Sequence, residues 1–310
     1  MSVENGNPFR RPSEPPPDSD KPISSIRLRE LAKQLEQVDE KTVRDEIEER
    51  LTDFMYPGYK IGSGQTADVY AGTTEDGTAG FCIKHNARKN SESAFDNPLE
   101  KEMELQVTAL RILRTAREAG KNVGDVPKPW LYLKTKKNQE ILSMDRVPGK
   151  TLRRLILEQV AAKMPDAYIL PGYTRNDLAT AHDDDLEEMV IDRYLRAGSK
   201  DTKQLYAAFL SKAGELPFLP LETALKVRNS IQELNRQRFF HRDLHDRNIM
   251  FSHDLSEVYF IDFGRSSHNE YTSANEAIDV EKVGTRIRYL DDMGILKTVG
   301  TVTKKAPKKA

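Results

Sequence analysis

Residues 238–251 read RFFHRDLHDRNIMF. Two histidines, three arginines, two aspartates and an asparagine stand here between apolar ends. A surface loop needs no apolar walls, and a core strand does not carry this much charge. The pattern suits polar side chains held by a rigid frame and aimed at something more highly charged. Further on, in VYFIDFGRSS (258–267), Asp262 closes the apolar run Val258–Ile261. Asn248 and Asp262 together offer hard oxygen ligands. That donor set fits Mg²⁺ (or Mn²⁺), which keeps waters and fills its remaining positions with substrate phosphates. Asp243 is placed to accept a proton from an attacking hydroxyl. The expected target of the charges is a nucleoside triphosphate and its metal.

Upstream, IGSGQTADVYAG (61–72) sets Gly62 and Gly64 where one strand turns into the next, followed by Ala67 and Val69. Glycines there let backbone N–H groups approach phosphate oxygens that a Cβ would obstruct. The strand-turn-strand context differs from the strand-turn-helix setting of a dinucleotide fingerprint. Lys84 ends the apolar strand FCIK. A phosphate-pairing lysine needs a carboxylate to hold it, and the next helix offers Glu100, Glu102 and Glu104. Glu102 borders the apolar phase of Leu105, Ala109, Ile112 and Leu113, whereas Glu104 shares its phase with Thr108 and Arg111. Glu102 is therefore preferred, with Glu104 as the other choice.

Composition bounds the partners. The chain has 310 residues, 37% hydrophobic and 31% charged, with a formal net charge of -1. This balance lacks the strongly basic footprint of a dedicated nucleic-acid binder; only the basic end TKKAPKKA suggests contact with RNA or an acidic partner. No apolar run approaches the ~18 residues of a membrane span. The N-terminus has no apolar core of a signal peptide, and the single cysteine, Cys82, fits a reducing compartment. The expected location is cytoplasmic. Residues 1–22, rich in Pro, Ser and charge, are expected to be disordered. Apolar stripes at Leu28, Leu31, Leu35, Val38 and at Val43, Ile47, Leu51, Phe54 predict helices over 23–55. Strands flanking a turn at 75–78, a helix over 98–119 and two strands around a Lys-rich turn follow. From Thr151 the pattern is mostly helical, broken by strands near 248–251 and 258–262.

Taken in order, these pieces resemble the protein-kinase-like superfamily. The match runs through the glycine-rich loop (Gly62, Gly64, Ala67, Val69), the strand lysine (Lys84), the His-Arg-Asp loop with its asparagine (His241, Arg242, Asp243, Asn248) and the Asp-Phe-Gly triplet (Asp262, Phe263, Gly264). ILSMDRVPGKTL (141–152) resembles the hinge. The resemblance implies that Met144 lines an adenine pocket and that Asp145 and Val147 offer it backbone groups. It implies an α+β, bilobal fold: an antiparallel-sheet N-lobe with one helix over 56–147, a mostly helical, truncated C-lobe over 148–296, and a basic tail over 297–310. It further implies ATP and Mg²⁺ as cofactors, with catalytic roles for Asp243, Lys84, Glu102 and His245.

The chain departs from typical protein kinases in two ways. His245 stands where they carry lysine, as is common in kinase-like small-molecule phosphotransferases, and could donate to the transferring phosphate. No Ala-Pro-Glu element follows Gly264, although NEAIDVEKVGTRIRYL can supply one helix, with Asp279 as a brace for the catalytic loop. In compactness the chain resembles the RIO kinases and the small kinase of the KEOPS complex. Between about 155 and 235 lies an insert whose acidic run, Asp183–Glu188, reads as the solvated start of a helix. A protein Ser/Thr acceptor is the first reading, with Ser266, Ser267, Tyr271, Thr272 and Ser273 as candidate self-acceptors. A small-molecule acceptor, as in choline or aminoglycoside kinases, is the second, and a nucleotide-binding pseudokinase the third.

Overall fold

The structure is a computed structural model that describes residues 45, 48, 60–63, 67–73, 79–86, 97–136, 138–196 and 219–269. The segment 1–22, the stretch 23–55 apart from two residues, Gly64, the 75–78 turn, Asp279 and the tail 297–310 lie outside them. The chain divides into two compact units, residues 1–104 with 127–146, and residues 105–126 with 147–310.

The first unit is a five-stranded antiparallel sheet of β1 (Lys60–Ser63), β2 (Asp68–Thr73), β3 (Ala79–Asn86), β4 (Pro129–Lys134) and β5 (Glu140–Asp145), in the order β1-β2-β3-β5-β4. Alternation along β3 decides its faces. Phe81 and Ile83 are fully buried on one side, where the Phe81 ring lies 5.6 Å from that of Trp130. Cys82 and Lys84 point the other way. They stand opposite Met144 and Leu142 of β5, and Lys84 stands opposite Val69 of β2. Leu99, Leu142 and Met144 form a small buried cluster on this side, with Cys82, Met103 and Tyr132 packed against it. Asp45 and Glu48, both helical, reach the β4–β5 turn: Lys136 donates its amide to Glu48 (3.2 Å) and pairs with Asp45 (2.7 Å).

Helix α1 (Leu99–Glu118) begins in the first unit and continues in the second. Leu105, Ala109, Leu113 and Ala116 recur at helical spacing and are buried. Gly120, at φ +78°, ends the helix. The amides of Gly120 and Lys121 return to Arg117 O and Ala116 O (2.9 and 3.0 Å), which satisfies carbonyls the helix leaves open.

The second unit holds the larger core, built from α1, α2 (Leu152–Lys163), α3 (Asp183–Glu187), a π-helix (Glu188–Leu195) and α4 (Leu221–Arg236). Thr151 caps α2 by accepting the Arg154 amide at 3.0 Å. Strands β6 (Gly149–Thr151), β8 (Ile249–Ser252) and β9 (Val258–Phe260) form one sheet; β7 (Phe239–Phe240) and β10 (Ser267–His268) form another. Gly149 is needed here because a Cβ would lie 1.8 Å from Phe251 O across the β6–β8 pair. The topology places the site. The loop 241–248 joins β7 to β8, and the loop 261–266 joins β9 to β10. Since β8 pairs with β9 and β7 with β10, the two loops must lie side by side. Among the described residues no helix is long and apolar enough to cross a membrane.

Candidate active site

The candidate residues fall into two groups, one in each unit. In the first unit, Lys84 donates to both carboxylate oxygens of Glu102 at 2.8 Å. Of the two glutamates open to it, this one is buried, with its side chain only 2% exposed. Glu104 is exposed and pairs with Lys101 at 2.9 Å. The strand period explains the meeting: Lys84 follows Cys82 by two residues and so faces the same side as Leu99 and Met103 of α1. Ala67 is buried and Val69 half-buried beside this face. A Cβ at Gly62 would meet Val69 at an ordinary 3.8 Å, so contacts within the chain do not demand glycine there. At the end of β5, the Asp145 carboxylate accepts from Trp130 Nε1 at 2.8 Å, and its amide donates to Lys128 O at 2.9 Å. Met144 and Val147 are buried. Burial pushes the Cys82 thiol up to about 12, so it stays protonated.

In the second unit the two loops are tied by backbone and ring. The Ile261 amide donates to Asn248 O (3.1 Å), and Ser266 Oγ donates to His241 O (3.2 Å). His241 Nε2 lies 3.0 Å from Ile261 O. A carbonyl only accepts, so Nε2 carries the proton. Burial lowers the affinity of His241 for a second proton, despite the nearby Asp262. The neutral ring packs on Phe263 at 4.9 Å, and Phe263 packs on Phe239 at 5.9 Å. His241 is thus a frame residue, and the triplet phenylalanine is its partner.

This frame presents the polar groups. Asp243 is half-buried, with His245 Nε2 3.6 Å from one carboxylate oxygen and Arg265 Nη1 3.6 Å from the other. Burial alone would raise its pKa. The His245 ring and the Arg265 charge overcome that and hold the carboxyl below its usual range. His245 is itself oriented: the Arg247 amide donates to Nδ1 at 3.1 Å. In the neutral ring the proton therefore sits on Nε2, facing Asp243. Asn248 Nδ2 donates to Asp243 O at 2.8 Å. Its 3.2 Å approach to His245 Nε2 is then a contact between two donors rather than a second bond. With Nδ2 committed, the oxygen Oδ1 is the Asn248 atom left to face a cation. Asp262 follows the backbone pair to Asn248, is exposed, and takes a left-handed φ of +64°. That conformation is costly for most residues but tolerated by aspartate.

The model of the phosphotransferase enzyme family, APH, matches residues 59–271, from just before the glycine-rich turn to just past the second loop. The chain belongs to this family. It is thereby a member of the protein-kinase-like superfamily, with the mixed α+β fold that membership implies. No curated protein matches the chain. In this phosphotransferase Arg265 belongs to no motif, and only its place directly after the Asp-Phe-Gly triplet could have marked it. The ion pairs made by the acidic helix leave no local signal in the sequence either. Asp183 meets Arg154 at 2.7 Å, Tyr173 donates to Asp185 at 2.6 Å, and Glu187 meets Arg153 and Arg247. The run opens α3 with Asp183, Asp184 and Glu188 exposed, as a solvated helix start should, and some of its carboxylates also hold these partners.

Proposed function

We propose that this phosphotransferase moves the γ-phosphoryl group of ATP to a hydroxyl, with Asp243 as the residue that receives the acceptor's proton. The observation that carries the reading is the setting of Asp243. Its carboxyl is held ionised and oriented by His245 and Arg265 while remaining partly exposed. The acceptor oxygen attacks phosphorus, the bond to the β–γ bridging oxygen breaks, ADP leaves, and the hydroxyl proton passes to the carboxylate. Lys84, fixed by Glu102, would pair with nucleotide phosphates, and the amides about Gly62 and Gly64 would cradle them. Met144 and the backbone of Asp145 and Val147 would receive the adenine, with Ala67 and Val69 beside it. Asn248 Oδ1 and the Asp262 carboxylate fit Mg²⁺, a hard cation that supplies charge neutralisation on the phosphates when bound. The sheet unit would serve as the N-lobe and the helical unit as the C-lobe.

For the acceptor, the small-molecule reading now leads. His245 stands in place of lysine beside Asp243, and the chain after Gly264 folds back as β10 on β7. There Ser266 and Ser267 are buried, poor positions for self-phosphorylation; Tyr271, Thr272 and Ser273 lie outside the described residues. A protein Ser/Thr acceptor is the second reading, favoured by Arg242 in the His-Arg-Asp triplet. The test is intact-mass spectrometry after incubation with ATP and Mg²⁺, alone and with hydroxyl metabolites or aminoglycosides. The expected result is an unmodified chain and a phosphorylated small alcohol, abolished by EDTA and by Asp243→Asn. Phosphate on the chain or on an added protein, absent in Asp243→Asn, promotes the second reading. ATP binding with no transfer to any acceptor overturns both.

A further inference from the structure

The loop that carries Asp243 is braced from a part of the chain that the function above does not use. Four charged side chains alternate in sign across it. Arg153, at the start of α2, donates its amide to Asp246 O at 2.8 Å, and its guanidinium lies 3.4 Å from the Asp246 carboxylate. The same guanidinium donates through Nε to Glu187 Oε1 at 3.0 Å. Glu187, the last residue of α3, then accepts from Arg247 Nη2 with both oxygens, at 2.7 and 2.8 Å. The chain runs Asp246–Arg153–Glu187–Arg247, two cations and two anions, so it is neutral as a set. Arg153 and Asp246 are largely buried, at 15% and 12% exposed, where such pairs are less screened by salt.

The two ends of this chain matter more than its strength. Asp246 and Arg247 are neighbours in the catalytic loop, and the Arg247 amide is the group that fixes His245 Nδ1. His245 Nε2 faces Asp243. Glu187 is thus joined to the reacting carboxylate through Arg247 and His245, while through Arg153 it holds the adjoining residue. Directly after Glu187 the helix widens into the π-helix Glu188–Leu195, a form that appears mostly in short pieces and often at functional sites.

We infer that Glu187 is a positioning residue for the catalytic loop: it clamps Arg247 and Arg153, and so sets the ring of His245 against Asp243. The inference rests on the phosphotransfer reading for its consequence in turnover, but not for its consequence at the His245 ring. It also gives the acidic helix of the 155–235 insert a task. Only Glu187 of that run contacts the loop's braces; Asp183 and Asp185 are spent within the insert, on Arg154 and Tyr173.

The test uses the full chain and two variants. Glu187→Ala removes the clamp, and Arg247→Met cuts it at an exposed link while leaving Glu187 with Arg153. Nitrogen-15 NMR of the histidine rings, with His245 assigned by a His245→Gln variant, reads the tautomer directly. In the unaltered chain His245 should carry its proton on Nε2; both variants should show mixed tautomers or an averaged ring. Turnover should fall about tenfold, with KM for ATP within about twofold, as expected when a group is misplaced rather than lost. Melting temperatures should stay within a few degrees, roughly what loss of one partly exposed pair allows. An unchanged His245 ring in both folded variants overturns the clamp, as does full turnover with an altered ring. If Glu187→Ala does not fold, Arg247→Met alone decides, by the same ring signal. If the ring responds but the unaltered chain transfers no phosphate to any acceptor, the clamp stands and the phosphotransfer reading falls.

Discussion

Lys84 and Asp243 are the two charges on which the proposed reaction turns, and the protein holds them in opposite ways. Lys84 is buried and bonded to both oxygens of a buried glutamate at 2.8 Å. Asp243 is a quarter exposed, and its neighbours, the His245 ring and the Arg265 guanidinium, stand off at 3.6 Å on either side. A tight pair in a poorly solvated site is a fixed point: breaking it leaves an uncompensated charge. A loosely flanked carboxylate keeps its oxygens open to a third party. The difference separates the group that must be in place before a ligand arrives from the group that must receive one.

The largest effect should come from the open carboxylate. Asp243→Asn keeps the shape and its contact with His245 but cannot take a proton. Turnover should fall by about 10²–10⁴, the usual worth of a general base, while ATP affinity stays within a few-fold. Melting temperature should hardly move. Single-turnover rates and nucleotide titration check this, and turnover near that of the unaltered chain would remove Asp243 from the chemistry.

The fixed pair should behave in the reverse manner. Glu102→Ala takes from the buried Lys84 ammonium both of its bonds to this carboxylate, at a cost of about 3–5 kcal/mol to folding. Replacing both partners, as Lys84→Met with Glu102→Met, should recover most of that stability without recovering activity. Denaturant unfolding of the single and double variants measures it. A double variant as unstable as Glu102→Ala would mean that the pair's worth lies in its bonds rather than in its burial.

Arg265 sharpens the comparison on the side of Asp243. Burial raises the pKa of this carboxyl, and His245 and Arg265 bring it below its ordinary value. Arg265→Met removes the guanidinium charge, so the folded-state pKa rises. In the proposed reaction the ionised form is the reactive one, so the acid limb of the turnover–pH profile should move to higher pH, with less than about a tenfold loss at neutral pH. A profile that does not move would assign the depression to His245 alone.

Much of this contrast could be read from the chain, for physical reasons. Lys84 closes the apolar strand FCIK, and the phase of Leu105, Ala109 and Leu113 picked Glu102 over Glu104, because the helical period is local and one face is buried. The charge-dense loop was legible for the same reason: its apolar flanks, Phe239 and Phe240 on one side and Ile249 and Phe251 on the other, are strands. The clamp was not legible. Glu187 meets Arg153 and Arg247 across separations of 34 and 60 residues, and no local period records such a pairing. An acidic run at a helix start reads the same whether it faces solvent or guanidinium groups. The pairing of Ser267 and His268 with β7 was hidden likewise, since two residues carry no pattern.

The smallest effect compares the two units through one histidine each. His85 in the sheet unit and His241 in the helical unit are both buried, and burial is the main cause that lowers each pKa; Gln139 and Asp68 offset it only in part at His85. In the unfolded chain both would titrate near the ordinary 6.5. Below that pH the unfolded state binds protons that the folded state refuses. Stability is therefore full above the unfolded value and declines as pH falls towards the lowered folded values, by up to ~1.4 kcal/mol per pH unit for each ring. His85→Phe removes one contributor without touching the catalytic loop, and an aromatic ring there keeps its tilted neighbour Tyr70 at 6.5 Å supplied with a partner. Urea unfolding followed from about pH 7.5 to about pH 5 should show a shallower decline in the variant by roughly one proton's worth. An unchanged slope would place the acid sensitivity in the helical unit, with His241, and make the frame of the loop 241–248 the first part of the molecule to yield as pH falls.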